Sequence, residues 1–77
     1  MRALAESSMG IKELLARHLS GDWGEALGDE DRQANDEALV TGGRLLSAYY
    51  LRGTGEQVWV ITEEDRATTH IILPEEY

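Results

Sequence analysis

Arg44-Leu-Leu-Ser-Ala-Tyr-Tyr-Leu51 follows the pair Gly42-Gly43, and its reading decides the fold. Upstream of it, apolar residues recur at helical spacing. From Arg44 onward they fall at a period of two, with Leu45, Ser47, Tyr49 and Leu51 on one face and Leu46, Ala48 and Tyr50 on the other. Residues 57–62 and 68–73 are rich in β-branched and aromatic side chains and read as two more strands. Arg52-Gly53-Thr54-Gly55-Glu56 is a hairpin loop, Glu63-Glu64-Asp65-Arg66-Ala67 is a second turn, and Pro74 stops the third strand.

Working back from Gly43, two helices precede the strands. Ile11, Leu14, Leu15, His18 and Leu19 keep the i, i+3, i+4, i+7, i+8 spacing of an amphipathic helix. Gly10 serves as its N-cap and Gly21 as its C′ residue, with Glu13 near the positive end and Arg17 and His18 near the negative one. The second helix is expected to start with Asp29 as N-cap and Glu30 and Asp31 in the first turn, to present Ala34, Ala38 and Leu39 as a narrow apolar face, and to end at Gly42-Gly43. The expected fold is therefore α+β, two N-terminal helices packed on a three-stranded antiparallel meander (α-α-β-β-β). Residues 1–9 read as a flexible tail and 10–77 as a single small domain. The edge strands offer a route to a homodimer.

The chain has 77 residues and a formal net charge of −8, and 42% of its residues are apolar. That apolar fraction is ordinary for a folded domain, so the acid has not displaced the core. Much of the acid lies between Asp22 and Glu37, where Arg32 is the sole basic residue. Such a surface attracts basic partners and repels phosphate backbones, which argues against direct nucleic-acid binding. Cysteine is absent, so disulfides and thiolate chemistry are excluded. No apolar run reaches membrane-spanning length and the N-terminus lacks the order of a signal peptide, so a cytoplasmic location is expected, with no membrane partner.

No catalytic site, metal or cofactor is called from these residues. His18 sits on the apolar side of helix one and reads as packing, and His70 reads as a surface histidine on the last strand. Asp29, Glu30 and Asp31 open like a calcium loop. The sixth position, however, is Ala34 where glycine is required, and the twelfth is Val40 where a bidentate glutamate belongs. Gly53-Thr54-Gly55 is too short for a phosphate loop and is followed by Glu56 in place of lysine. Tyr49, Tyr50 and Trp59 could stack bases, but a stacking platform needs a basic surround that this chain lacks. Glu63-Glu64-Asp65-Arg66 reads either as a solvated turn or as an exposed contact epitope.

Four segments carry a resemblance to a known family. They are Leu-Ala-Arg-His-Leu-Ser-Gly-Asp-Trp-Gly-Glu from Leu15, Glu-Asp-Arg-Gln-Ala-Asn-Asp-Glu-Ala-Leu from Glu30, Gly-Gly-Arg-Leu-Leu-Ser-Ala-Tyr from Gly42, and the run from Trp59 to Tyr77. Together they cover nearly all of the chain after Gly10. The chain resembles the small "plasmid-related" proteins of bacterial mobile elements, sometimes labelled type I restriction subunit M-like. The resemblance implies a plasmid, phage or integrated-element setting and brings no catalytic residues. Family patterns have Asp-Arg-Ser where this chain has Asp65-Arg66-Ala67. A methyltransferase fold does not fit in 77 residues.

Charge and setting together suggest an acidic protein-binding module that occupies a basic surface on its partner. Its concrete form would be an anti-restriction or anti-CRISPR-like inhibitor mimicking DNA charge. The expected contact residues are Asp22, Glu25, Asp29, Glu30, Asp31, Asp36 and Glu37, with Trp23 as an apolar anchor. Two alternatives stay open: a RelE-like toxin or ribonuclease, and a structural or regulatory subunit that adds an edge strand to a larger protein.

Overall fold

The computed structural model describes residues 10–76, and the tail expected over 1–9 lies outside them. Helix α1 spans Ile11–Leu19 and starts from Gly10, whose extended backbone (φ −92°, ψ 166°) lets its carbonyl accept the Leu14 N–H at 3.3 Å. It ends in a Schellman motif around Gly21 (φ 84°). The Gly21 N–H donates to the His18 carbonyl at 3.2 Å and the Asp22 N–H to the Arg17 carbonyl at 3.0 Å. Of the five-residue apolar stripe, Leu14 and His18 are buried and Leu15 packs against the core, while Ile11 and Leu19 face outward.

Helix α2 spans Asp29–Thr41, and two details of its expected form are corrected. Its N-cap is Gly28, with no side-chain cap, so Asp29 is the first helical residue and its carboxylate complements the helix dipole beside Glu30 and Asp31. Its inward face is not Ala34, Ala38 and Leu39. Ala34 is exposed, Leu39 is 59% exposed, and the buried pair is Asn35 and Ala38. A helix that meets the sheet through one i, i+3 pair leaves its neighbours in solvent. The helix closes at Gly42 (φ 92°), whose N–H donates to the Ala38 carbonyl at 2.8 Å.

The three strands are β1 (Leu45–Tyr50), β2 (Gln57–Thr62) and β3 (Thr69–Ile72), joined as an antiparallel meander in the order β1-β2-β3. The outer two are shorter by a residue at each end than the alternation suggested. A 3-10 turn, Pro74–Glu76, follows β3. The register places Ser47 opposite Val60, Tyr49 opposite Val58, Val60 opposite Ile71 and Thr62 opposite Thr69. Since side chains alternate, these residues share the face that receives α1, and Leu14, Tyr49, Leu51, Val58 and Val60 form one core cluster there. Trp23, Leu27, Ala38, Leu45 and Ala48 form a second cluster that ties the α1–α2 loop and α2 to β1.

The outer edge of β1 is closed by side chains and loop. The Leu46 amide and carbonyl are both bonded by the Asn35 side chain, at 2.9 and 2.6 Å. The Ala48 N–H donates to the Trp23 carbonyl at 2.9 Å, and the Ala48 carbonyl accepts from the Ala26 N–H at 3.2 Å. The Tyr50 N–H donates to Glu25 Oε1 at 3.3 Å. Every residue of β1 that points outward is therefore engaged, and β1 offers no ladder to a second sheet.

Candidate functional site

The acidic stretch divides into two groups. Asp22 and Glu25 are gathered by Arg17, which donates to Asp22 at 2.7 and 3.2 Å and to Glu25 at 3.1 Å, and whose guanidinium lies 4.4 Å from the Tyr49 ring centroid. Asp22 also accepts from the Gly24 N–H at 3.2 Å. The Arg17 hydrogen bond holds the Asp22 carboxyl below its ordinary range. Glu25 is lowered too: partial burial pushes it up, but hydrogen bonds from backbone amides, Tyr50 among them, and from Arg17 outweigh that. These two acids clamp the loop to α1 and β1.

Asp29, Glu30, Asp31, Asp36 and Glu37 are different. All five are exposed, and among the described residues none makes an ion pair. The one basic residue in their midst, Arg32, is turned away from them. It donates through Nε to the Leu27 carbonyl at 3.2 Å and through a terminal nitrogen to the Gly24 carbonyl. Asp36 and Glu37 flank a shallow groove of about 480 Å³ along α2, with Gln33, Val40 and Thr41. Trp23 is 6% exposed. Its indole N–H donates to Asp36 at 3.2 Å and its ring meets His18 edge-on, with centroids 5.9 Å apart. It is a wall of the fold and does not project as an anchor.

His18 is also inside, 3% exposed, and its two ring nitrogens join three elements. Nδ1 lies 2.5 Å from Ser47 Oγ on β1, and Nε2 lies 2.8 Å from Thr62 Oγ1 on β2. Thr62 Oγ1 is in turn 2.9 Å from Thr69 Oγ1 on β3, which extends this chain of polar groups across the sheet. The Tyr49 hydroxyl donates to the Asp22 carbonyl at 2.6 Å. Each ring nitrogen of His18 therefore faces a hydroxyl that can donate or accept. Burial lowers the His18 pKa, which favours the neutral imidazole. Sequence reading took His18 as packing and missed its partners. The signal was present, since Ser47 and Thr62 are hydroxyls at strand positions that face the core.

Above this chain lies an open cleft of about 420 Å³ between the C-terminal ends of α1 and α2. Leu19, Leu39, Leu45 and Trp23 line it together with Thr62 and Thr69, and Arg66 stands at its rim. Arg66 takes a left-handed backbone (φ 61°), unusual for a non-glycine residue. Its guanidinium donates to the carbonyls of Gly43 at 2.6 Å, Ala38 at 3.1 Å and Glu63 at 3.3 Å. The last turn of α2 contains no basic residue, and Arg66 supplies that cation from the β2–β3 turn.

The two histidines are not brought together. His70 is exposed on the opposite face of the sheet, where it lies 3.5 Å from Glu63. Among the described residues, no group of three or more histidines and acids is placed to hold a metal ion, and no helix is long and apolar enough to cross a membrane. No family model matches the chain, and no curated protein or solved structure is significantly similar to it, so its functional reading rests on this geometry.

Proposed function

We propose that this chain is a small acidic protein-binding module whose contact surface is the carboxylate face of α2. It occupies a basic, nucleic-acid-binding surface on its partner, in the manner of an anti-restriction or anti-CRISPR-like inhibitor that mimics DNA charge. The observation that carries this reading is the orientation of Arg32. The cation that could have neutralised Asp29, Glu30, Asp31, Asp36 and Glu37 is spent on loop carbonyls, which leaves these five exposed carboxylates without an ion-pair partner among the described residues. From Asp29 to Glu37 the helix rises roughly 12 Å, so its five carboxylates average one about every 3 Å along the axis. Duplex DNA carries a charge about every 1.7 Å of axis and each strand about every 3.4 Å, so the helix face lies within that range. Asp22 and Glu25, neutralised in part by Arg17, extend the surface with less net charge.

The resemblance to plasmid-related proteins supports a mobile-element setting, where a competitor of DNA-binding enzymes would act. The test is capture from lysates of a host that encodes restriction and CRISPR systems. A DNA-binding protein should be recovered, its yield should fall as salt rises, and duplex DNA should compete for it. Recovery of no such protein sinks the proposal. Equal capture by a variant carrying Asp29→Asn, Glu30→Gln and Asp31→Asn would do the same.

A further inference from the structure

In an antiparallel ladder each strand turns every second residue away from its neighbour. The Glu63 N–H donates to the Thr68 carbonyl at 3.0 Å, so Glu63 and Thr68 are a bonded pair, and the register makes bonded pairs of Ile61 with His70 and Trp59 with Ile72. Thr69 and Ile71 therefore point their N–H and C=O groups along the outer edge of β3, and Leu73 continues the row. This edge is closed only at its ends. Glu76 Oε1 accepts the Leu73 N–H at 2.7 Å, the Leu73 carbonyl accepts the Glu76 N–H at 2.9 Å, and Asp65 Oδ1 accepts the Ala67 N–H at 2.9 Å. Between those caps, no described residue bonds the outward groups of Thr69 and Ile71. Where β1 is closed along its length, β3 keeps two donors and two acceptors for a strand from outside.

Charge at the two ends of that row selects the occupant. Glu64 and Asp65 precede β3 and Glu75 and Glu76 follow it, all exposed and, among the described residues, without an ion pair. Arg66, the one cation of the turn, is bonded to backbone carbonyls. The two capping bonds hold Asp65 and Glu76 at opposite ends of the row. A second copy fits badly. The antiparallel self-pairing that uses all four open groups sets Thr69 of one copy against Ile71 of the other. The same register sets Asp65 against Glu75 and Glu64 against Glu76, so like charges meet at both ends. A basic strand meets opposite charge there instead. We infer that the β3 edge takes up an extended segment of a protein partner, with β-branched residues opposite Thr69 and Ile71 and a basic residue opposite each cap. Ala67 and Leu73 are six positions apart, so those two basic residues stand about 20 Å apart. The site shares no residue with the α2 face and does not depend on it.

The test follows amide hydrogen exchange by NMR in the full chain, with the peptide Lys-Thr-Val-Thr-Val-Thr-Lys, acetylated and amidated, as the probe. In the free chain the Thr69 and Ile71 amides should exchange fast and those of His70 and Ile72 slowly. The peptide is expected to slow Thr69 and Ile71 by about tenfold. N-methylation of both valines removes the donors that face β3 and keeps the charge, so it should abolish the protection. N-methylation of the central threonine, whose N–H faces away, should preserve it. Exchanging both lysines for serine should weaken binding about fivefold. Glu64→Gln with Glu75→Gln should weaken the lysine peptide and leave the serine peptide unchanged. Thr69 and Ile71 amides that stay fast at millimolar peptide overturn the proposal. Equal protection by the valine-methylated peptide does so too, since it would mean attraction without strand pairing. Protection that grows with protein concentration alone would assign the edge to a second copy and overturn it. The variant Asp29→Asn, Glu30→Gln and Asp31→Asn should respond as the parent does. Loss of the response there would move the peptide to α2, which sinks the edge site and leaves the acidic face standing.

Discussion

Asn35 pairs with Leu46 as a neighbouring strand would: its Oδ1 accepts the Leu46 N–H at 2.9 Å and its Nδ2 donates to the Leu46 carbonyl at 2.6 Å. Asn35 is 3% exposed, so this one amide both anchors α2 and closes the β1 edge at Leu46, near the start of the strand. Asn35→Ala should remove both bonds and cost about 2 kcal/mol, a large share of a total on the order of 5 kcal/mol for a domain of this size. Asn35→Asp should cost more, because a carboxylate would face the Leu46 carbonyl with no proton to offer. Urea unfolding gives the ranking. Equal stability of the parent and Asn35→Ala would show that water replaces the amide freely. The freed edge should also raise the rate of aggregation.

Arg66 combines a backbone cost with a side-chain gain, and two substitutions separate them. Arg66→Ala keeps the left-handed cost and loses the bonds to Ala38 and Gly43, so it should destabilise by about 2 kcal/mol. Arg66→Gly loses the same bonds but recovers roughly 1 kcal/mol of backbone strain, so its urea midpoint should fall between the alanine variant and the parent. A glycine variant more stable than the parent would mean that the cap contributes less than the strain costs.

The contrast between Asn35 and the strands explains what the sequence could tell. Alternation is a local property, so the residues of β1 and β2 declare their own conformation, and the glycines at positions 21 and 42 declare where helices stop. Asn35 and Arg66 are local only in their side chains. Their partners lie 11 and 28 residues away, and nothing in a polar residue on a helix or in a turn announces such a match. The acids were legible as charge but not as structure. Arg17 gathers Asp22 and Glu25 into a clamp, whereas Arg32 turns away from the acids around it, and this division depends on where the loop carbonyls lie. Trp23, the only large aromatic of its loop, reads from the sequence both as a side chain that folds back on the core and as an anchor, and the structure places it inside, 6% exposed. The cleft is built from the ends of two helices and three strands, so no single stretch encodes it.

Two glycines of the α1–α2 loop should respond in opposite ways. A Cβ on Gly24 would sit 2.0 Å from the Ala48 carbonyl oxygen and 2.6 Å from the Tyr49 ring, at a φ of +94°. Gly24→Ala should therefore break the Trp23–Ala48 pairing and cost at least about 3 kcal/mol. Gly28 has open space and an extended backbone at the N-cap of α2. Gly28→Ser can add the missing cap and reduce the freedom of the unfolded chain, for a gain of about 0.5–1 kcal/mol. Thermal unfolding of the two variants measures both, and a destabilised Gly28→Ser would contradict the cap geometry.

His18 makes stability depend on pH in a window of its own. Burial depresses its pKa in the folded chain below the ordinary value of about 6.5 that it regains on unfolding. Above that value the imidazole is neutral in both states and stability is flat. As the pH falls through about 6.5 and toward the folded value, the unfolded chain takes up the proton first and stability declines. Protonation inside would make both ring nitrogens donors, so whichever of the Ser47 and Thr62 hydroxyls donates to the neutral ring would have to turn its proton away. Asp22 and Glu25, whose folded values are depressed, add a second decline in the carboxylate range at lower pH. Urea midpoints from pH 8 to pH 3 should therefore fall in two stages. His18→Gln should be less stable than the parent at pH 8 yet lack the first stage, and His70→Gln should retain it. A parent chain equally stable at pH 7 and pH 5 would mean that the imidazole is not held neutral between Ser47 and Thr62.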